Sequence, residues 1–348
     1  MSLKARLQKR FDEIPKDVTP GFHLLINQKG KRVCDLRFRK TWPRYDLASL
    51  TKILFTTTFY MKAVSRKEID LDKSVQYYLP WFPSSRPKVK NLLSHYAGLT
   101  WWLPLYKKID RSLPVYQRWM QVQHILQDNG VAKKERAVYS DLDFLYLGFM
   151  LERVYQKPLI DLFYEYKQWC GALGQIDYMQ HEKKPKIKKS DFAPTEKCLW
   201  RKQTLQGQVH DDNTWSLGGV APQAGLFGRA QDIESWASWL RGVYRGEVTS
   251  DIKRSVIRKF FQRAVPHSKG DWALGFMMPS SKGSSAGSLL SKTSVGHTGF
   301  TGTSFWWDLE KDFSVILLSN RVYPSRDNRK FVKWRGPIHD MVYEEMFL

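Results

Sequence analysis

Segments patterned for strands stand at the two ends of this chain, and segments patterned for helices fill the space between them. Near the start, Phe22-His-Leu-Leu-Ile-Asn-Gln-Lys-Gly30 and Lys31-Arg-Val-Cys-Asp-Leu-Arg-Phe38 flank a turn at Gln28-Lys29-Gly30, which predicts that the chain opens with a hairpin. Near the end, Trp272–Met277, Thr303–Asp308 and Phe313–Ser319 read as strands, the last an apolar run suited to a buried position. That distribution predicts an α/β fold with one sheet built from both termini and a helical domain inserted in it.

From Asp46 to Val64 the apolar residues Leu50, Ile53, Leu54, Phe59, Tyr60 and Val64 follow a helical pattern, with Asp46 as a candidate N-cap. Helical stretches and Pro-rich loops such as Leu79-Pro-Trp-Phe-Pro83 continue to about residue 220. Further helices are predicted over Ala230–Leu240 and Phe331–Phe347, the latter with Trp334, Ile338, Met341, Val342 and Met346 on roughly one face. The expected division is an α/β sandwich domain from residues 1–60 and 225–348, with 61–224 as the inserted, mostly helical domain. A chain of 348 residues that is 42% hydrophobic and 14% aromatic has ample core-forming side chains, which excludes a disordered protein.

The charge balance is one-sided: Lys+Arg 56 against Asp+Glu 34 gives a net +22, which favours an anionic partner. An acidic polymer or substrate and an acidic membrane surface both fit, whereas nucleic acid is not expected. The run Lys183-Lys-Pro-Lys-Ile-Lys-Lys189 reads as a solvated loop, with an anionic docking site as the alternative. Cys34, Cys170 and Cys198 are too scattered for a disulfide framework or a metal spacing, which favours a reducing compartment. Residues Met1 to Pro15 carry charges where a secretory signal needs an apolar core, so a cytoplasmic location is expected. An exported protein stripped of its leader would read the same. No apolar run of 18 residues occurs, so no spanning helix is expected.

Ser49-Leu-Thr-Lys52 places a hydroxyl and an amine on one face at a predicted helix start. A lysine so placed can take the serine proton if its surroundings lower its pKa. The pattern alone is weak, since Ser85-Arg-Pro-Lys88 and Ser250-Asp-Ile-Lys253 repeat it. Two further motifs change its weight. Tyr139-Ser140-Asp141 precedes a helical pattern, and its phenol suits a general acid or base if Lys52 holds it partly as phenolate. His297-Thr298-Gly299-Phe300 precedes a predicted strand, offering a cation or donor followed by a glycine that lets a strand edge approach a substrate.

With these three motifs in this order, the sequence resembles the serine β-lactamase and penicillin-binding-protein superfamily, specifically its class C β-lactamase and esterase-like branch. Leu92-Leu-Ser-His-Tyr-Ala-Gly-Leu99, Val209-His-Asp-Asp-Asn213 and Gly218-Gly-Val-Ala-Pro-Gln-Ala-Gly-Leu-Phe227 are similar to that family's segments too, and the likeness runs from about residue 20 to 345. The resemblance implies a β-lactamase/transpeptidase-like fold, an antiparallel sheet flanked by helices, with the site between sheet and inserted domain. It makes Ser49 the nucleophile, Lys52 its proton acceptor or electrostatic activator, and Tyr139 the proton shuttle. It gives Asp141, His297, Thr298, Gly299 and Phe300 to substrate and oxyanion binding, the oxyanion donors being the N–H groups of Ser49 and Phe300. His297, where β-lactamases carry lysine, would orient Tyr139 or a substrate carboxylate.

Asp141 stands where β-lactamases carry asparagine, and with His297 this points away from efficient antibiotic hydrolysis. Pro222-Gln223 replaces a Gly-His pair and reshapes one cleft wall. His210, Asp211 and Asn213 are expected to line the cleft, a metal role being set aside because no second His/Asp cluster accompanies them. No cofactor or metal is implied. The leading expectation is hydrolysis of an ester or amide, with a small-molecule or peptide substrate derived from cell wall or from a D-amino acid, and with weak or no β-lactamase activity. The alternatives are a broad carboxylesterase and a non-catalytic basic protein that holds a polyanion on the same fold.

Overall fold

The computed structural model describes residues 1–132, 135–181 and 187–348; most of the Lys183–Lys189 run lies outside them. In chain order the strands are β1 Gly21–Gln28, β2 Lys31–Arg39, β3 Tyr45–Asp46, β4 Asp177–Tyr178, β5 Glu196–Cys198, β6 Gln203–Leu205, β7 Leu226–Gly228, β8 Val295–Thr298, β9 Ser304–Asp308 and β10 Phe313–Ser319. The α-helices are α1 Leu3–Phe11, α2 Thr58–Ser65, α3 Val75–Tyr78, α4 Val89–Leu93, α5 Val115–Gln127, α6 Asp141–Tyr155, α7 Leu159–Cys170, α8 Asp212–Ser216, α9 Ala230–Arg245, α10 Arg254–Phe260 and α11 Lys330–Phe347. No helix among the described residues is long and apolar enough to cross a membrane.

Among the described residues the main sheet has five antiparallel strands in the order β2-β1-β10-β9-β8, so both chain ends meet in it as the sequence pattern predicts. Leu25 pairs with Ile316 and Leu24 with Leu317, and alternate residues face opposite sides. Leu25, Ile316, Leu318, Phe305 and Trp307 join the large core beneath α2, α6, α7 and α9. Phe22, Leu24, Val315, Leu317 and Trp306 join a second core closed by Leu7 and Phe11 of α1 and by Ile338 and Val342 of α11. Each such side chain contributes about 1.5–3 kcal/mol by leaving water. Every residue of β10 is buried because it is central and covered on both faces.

The structure corrects several expectations. A helix, α1, precedes the hairpin, with Ser2 Oγ accepting from the Ala5 N–H as its N-cap. Asp46 lies in β3 and caps no helix; the helix begins at Leu50 and is wound as a π-helix from Lys52 to Thr57 before α2. Trp272–Met277 is not a strand: Gly275, at φ +79°, turns the segment back so that Trp272 bridges Met277, and only Met277 pairs with Gly296 of β8. That turn suits glycine, since a Cβ there would sit 2.2 Å from Thr57 Oγ1. The strand expected after the His297 motif forms as β9, and His297 and Thr298 themselves close a further strand, the edge strand β8.

Candidate active site

The nucleophile candidate is placed by a strained turn. Ala48 holds a left-handed φ of +47°, and its N–H donates to Asp46 Oδ1 at 2.8 Å, so the chain leaves β3 sharply and Ser49 emerges partly exposed. Asp46 Oδ2 also accepts the His210 N–H at 2.7 Å, and burial pushes this carboxyl above its ordinary range. Two hydroxyls fasten the β8–β9 loop to the same turn: Thr301 Oγ1 donates to Asp46 O at 2.8 Å and Thr303 Oγ1 to Leu47 O at 3.1 Å. Gly299 is pressed against it so closely that a Cβ would lie 2.0 Å from Thr303 Oγ1 and 2.8 Å from Leu47 O. These contacts fix the loop of Gly299 to Thr303 against the turn that leads into Ser49.

Three sequence-predicted side chains converge here. Lys52 Nζ, fully buried, donates to Ser49 Oγ at 3.0 Å, Asp141 Oδ1 at 2.7 Å and Gln223 O at 3.0 Å, which uses its three protons. The Tyr139 hydroxyl donates to Ser49 Oγ at 2.7 Å. Ser140 Oγ caps α6 by accepting the Leu142 N–H at 3.1 Å, which sets Tyr139 and Asp141 on either side of the helix start. Trp272 stacks on the Tyr139 ring at 5.8 Å, and buried His95 lies 4.9 Å from it on centroids.

The electrostatics differ from the sequence reading in three respects. Burial pulls the Lys52 pKa down, but the Asp141 carboxylate and Tyr139 outweigh it and the net direction is up, so Lys52 is an ammonium. Burial likewise pushes Tyr139 up to about 12 despite Lys52, so the resting group is a phenol and not a partial phenolate. His297 is driven down to about 3 by burial and by Lys52, and its Nδ1 lies 2.9 Å from Thr298 O. A carbonyl only accepts, so Nδ1 carries the proton and Nε2, buried with no partner among the described residues, is a lone-pair acceptor. His297 therefore supplies no positive charge for a substrate carboxylate.

Asp141 is engaged with Lys52, and Thr298 Oγ1 donates to Met277 Sδ at 3.8 Å. Phe300 is half-exposed, with His210 stacked on it at 5.5 Å and the Arg321 guanidinium 4.6 Å from its centroid. His210 Nε2 is 2.8 Å from Glu196 Oε2, Asp211 accepts the Thr214 N–H at 2.7 Å, and the Asn213 amide spans Tyr106 N and Leu103 O. These three expected cleft residues thus hold the surrounding loops; Asp211, raised by burial and by Asp141, is electrostatically coupled to the cluster. At Pro222-Gln223, Pro222 O accepts from Thr56 Oγ1, Gln223 O accepts from Lys52, and Gln223 Nε2 donates to Thr214 Oγ1 at 3.1 Å. Sequence reasoning took Trp272 for a strand residue and gave no site role to His95, which is buried and packs on Tyr139 and Trp272.

A buried cationic lysine and a phenol on one accessible serine hydroxyl, set between a five-stranded sheet and a helical layer, define a serine hydrolase. The chain belongs to the beta-lactamase family, whose model matches residues 7–334. It is 29% identical over 315 residues to the N-acetylmuramyl-L-alanine amidase of Bacillus subtilis, covering 81% of this chain and 69% of that protein. Among solved structures it resembles EstCE1, a hydrolase with promiscuous acyltransferase activity, with TM-score 0.73, 18% identity and 98% of each chain covered. It also resembles the octameric penicillin-binding protein homologue of Pyrococcus abyssi, with TM-score 0.68, 19% identity, and 95% of this chain and 75% of that one covered. At such identities these two likenesses speak for the fold.

Proposed function

We propose that this protein cleaves an ester or amide through an acyl-enzyme on Ser49, and that its natural substrate is a cell-wall-derived peptide or D-amino-acid derivative. The observation that carries the chemistry is the double hydrogen bond on Ser49 Oγ, from Lys52 Nζ at 3.0 Å and Tyr139 OH at 2.7 Å. Attack forms a bond from Ser49 Oγ to the carbonyl carbon, and the serine proton leaves through this pair. Both partners are protonated at rest, so the reactive form is the minor one in which the pair has released a proton to solvent. Tyr139 then delivers a proton to the departing alcohol or amine, the acyl bond breaks on that side, and water repeats the sequence on the ester. The N–H groups of Ser49 and Phe300 receive the oxyanion.

The substrate class is supported by the amidase relative and by the net charge of +22, which draws anionic wall fragments. A carboxylate at Asp141 and a neutral His297 leave position 141 without the amide and position 297 without the cation that suit a β-lactam, so β-lactam turnover should be weak or absent. The test sets p-nitrophenyl butyrate beside a peptide ending in D-Ala-D-Ala, with free D-alanine assayed. Hydrolysis of both is expected. Turnover of the ester alone would make the protein a carboxylesterase, and turnover of neither would contradict the assignment.

A further inference from the structure

Two guanidinium groups lie behind the oxyanion side of the site, where nothing in the hydrolysis described so far uses them. Arg335, in α11, is only 5% exposed, and its Nη2 donates to Gly299 O at 3.1 Å. Arg321, 3% exposed, sits against the face of Phe300. The Nε of each is buried without a partner, and no carboxylate pairs with either among the described residues. Burial pulls Arg335 down to about 9 and Arg321 down to about 10, as expected for charges held out of water with no counter-ion. An unpaired buried charge is unfavourable for folding, so this arrangement is not explained by stability.

Its position offers an explanation. Gly299 O and the Phe300 N–H belong to one peptide group, a single conjugated unit. A charge-assisted hydrogen bond on the carbonyl draws electron density toward that end and makes the N–H at the other end a stronger donor. The same bond fixes the plane of the peptide. The carbonyl is not left bare without it, because Gly302 N–H also donates to Gly299 O at 3.1 Å. The contribution of Arg335 is therefore charge and orientation.

We propose that Arg335 is a positioning residue that polarises and orients the Gly299–Phe300 peptide, so that Phe300 N–H binds the oxyanion of the transition state more tightly than it binds the substrate carbonyl. This rests on Phe300 N–H being an oxyanion donor, as proposed above. Because only the tetrahedral, negatively charged species gains, the effect falls on kcat and not on KM.

The test compares wild type, Arg335→Met and Arg335→Lys for kcat and KM on p-nitrophenyl butyrate, for inhibition by an alkylboronic acid, and for thermal melting. The boronic acid adds to Ser49 Oγ as a tetrahedral anion and so reports oxyanion binding directly. Arg335→Met should lose about tenfold to a hundredfold in kcat, less than the loss of a whole oxyanion donor. Its boronate affinity should fall by a similar factor, with KM little changed and the melting temperature equal or higher, since methionine fills the volume without a buried charge. Arg335→Lys should recover part of both losses. Unchanged kcat and boronate affinity in a folded Arg335→Met protein would overturn the proposal. So would a fall in melting temperature shared by both variants without a selective loss of boronate binding, which would make Arg335 structural. Wild type that neither turns over the ester nor binds the boronate would instead refute the Ser49 reading, and this inference with it.

Discussion

Lys52→Met should reduce ester turnover by about 10³-fold and lower stability by about 3 kcal/mol, because it removes both the cation on Ser49 and the salt-bridge partner that Asp141 has among the described residues. The two losses separate in the double variant Lys52→Met/Asp141→Asn. Neutralising the abandoned carboxylate should restore most of the melting temperature while leaving the protein inactive. Chemical denaturation gives the first quantity and p-nitrophenyl butyrate hydrolysis the second. A Lys52→Met protein as stable and as active as wild type would show that the ion pair is ornamental, and recovery of activity in the double variant would show that Lys52 acts only as a brace.

Tyr139→Phe should lose about 10²- to 10⁴-fold in kcat while its stability changes by about 1 kcal/mol or less. The ring keeps its packing against Trp272 and His95, and the hydroxyl gives up its hydrogen bond to Ser49 Oγ. The wild-type pH profile bears on the same group. Tyr139, pushed up to about 12, and Lys52, held above its ordinary range, both release more of their basic form as pH rises. The kcat/KM for ester cleavage should therefore climb from pH 7 through 9 without a plateau. His297, held neutral with a pKa of about 3, adds no inflection between pH 5 and 8. A bell-shaped profile with a limb near pH 6.5, or near-normal activity in Tyr139→Phe, would move the proton transfer to another group.

What the sequence disclosed and what it hid follow from the range of the forces involved. The apolar run of Phe313–Ser319 and the helical spacing of residues 230–240 are local, and β10 and α9 form where those patterns stand. The Ser49, Lys52 and Tyr139 triplet was legible because the three motifs carry reactive side chains in a familiar order, and the structure brings the three together. Protonation was not legible. Whether Lys52 is an ammonium depends on a carboxylate 89 positions away and on complete burial, neither of which is written around position 52. Trp272 was misplaced because aromatic and apolar residues suit a strand locally, whereas Gly275 in a left-handed conformation turns the chain back. Arg335 was invisible for a related reason: on an amphipathic helix an arginine reads as solvent-facing, and only the packing of α11 reveals that it reaches Gly299.

The central claim is that Ser49 is an activated nucleophile. It is tested most directly by intact-protein mass spectrometry after incubation with a fluorophosphonate and, separately, with a penicillin, using wild type and Ser49→Ala. The account predicts one fluorophosphonate adduct on wild type and none on Ser49→Ala. A penicillin adduct on wild type would further place the substrate among wall peptides. An unlabelled wild-type protein, or a Ser49→Ala protein labelled as readily as wild type, would contradict it.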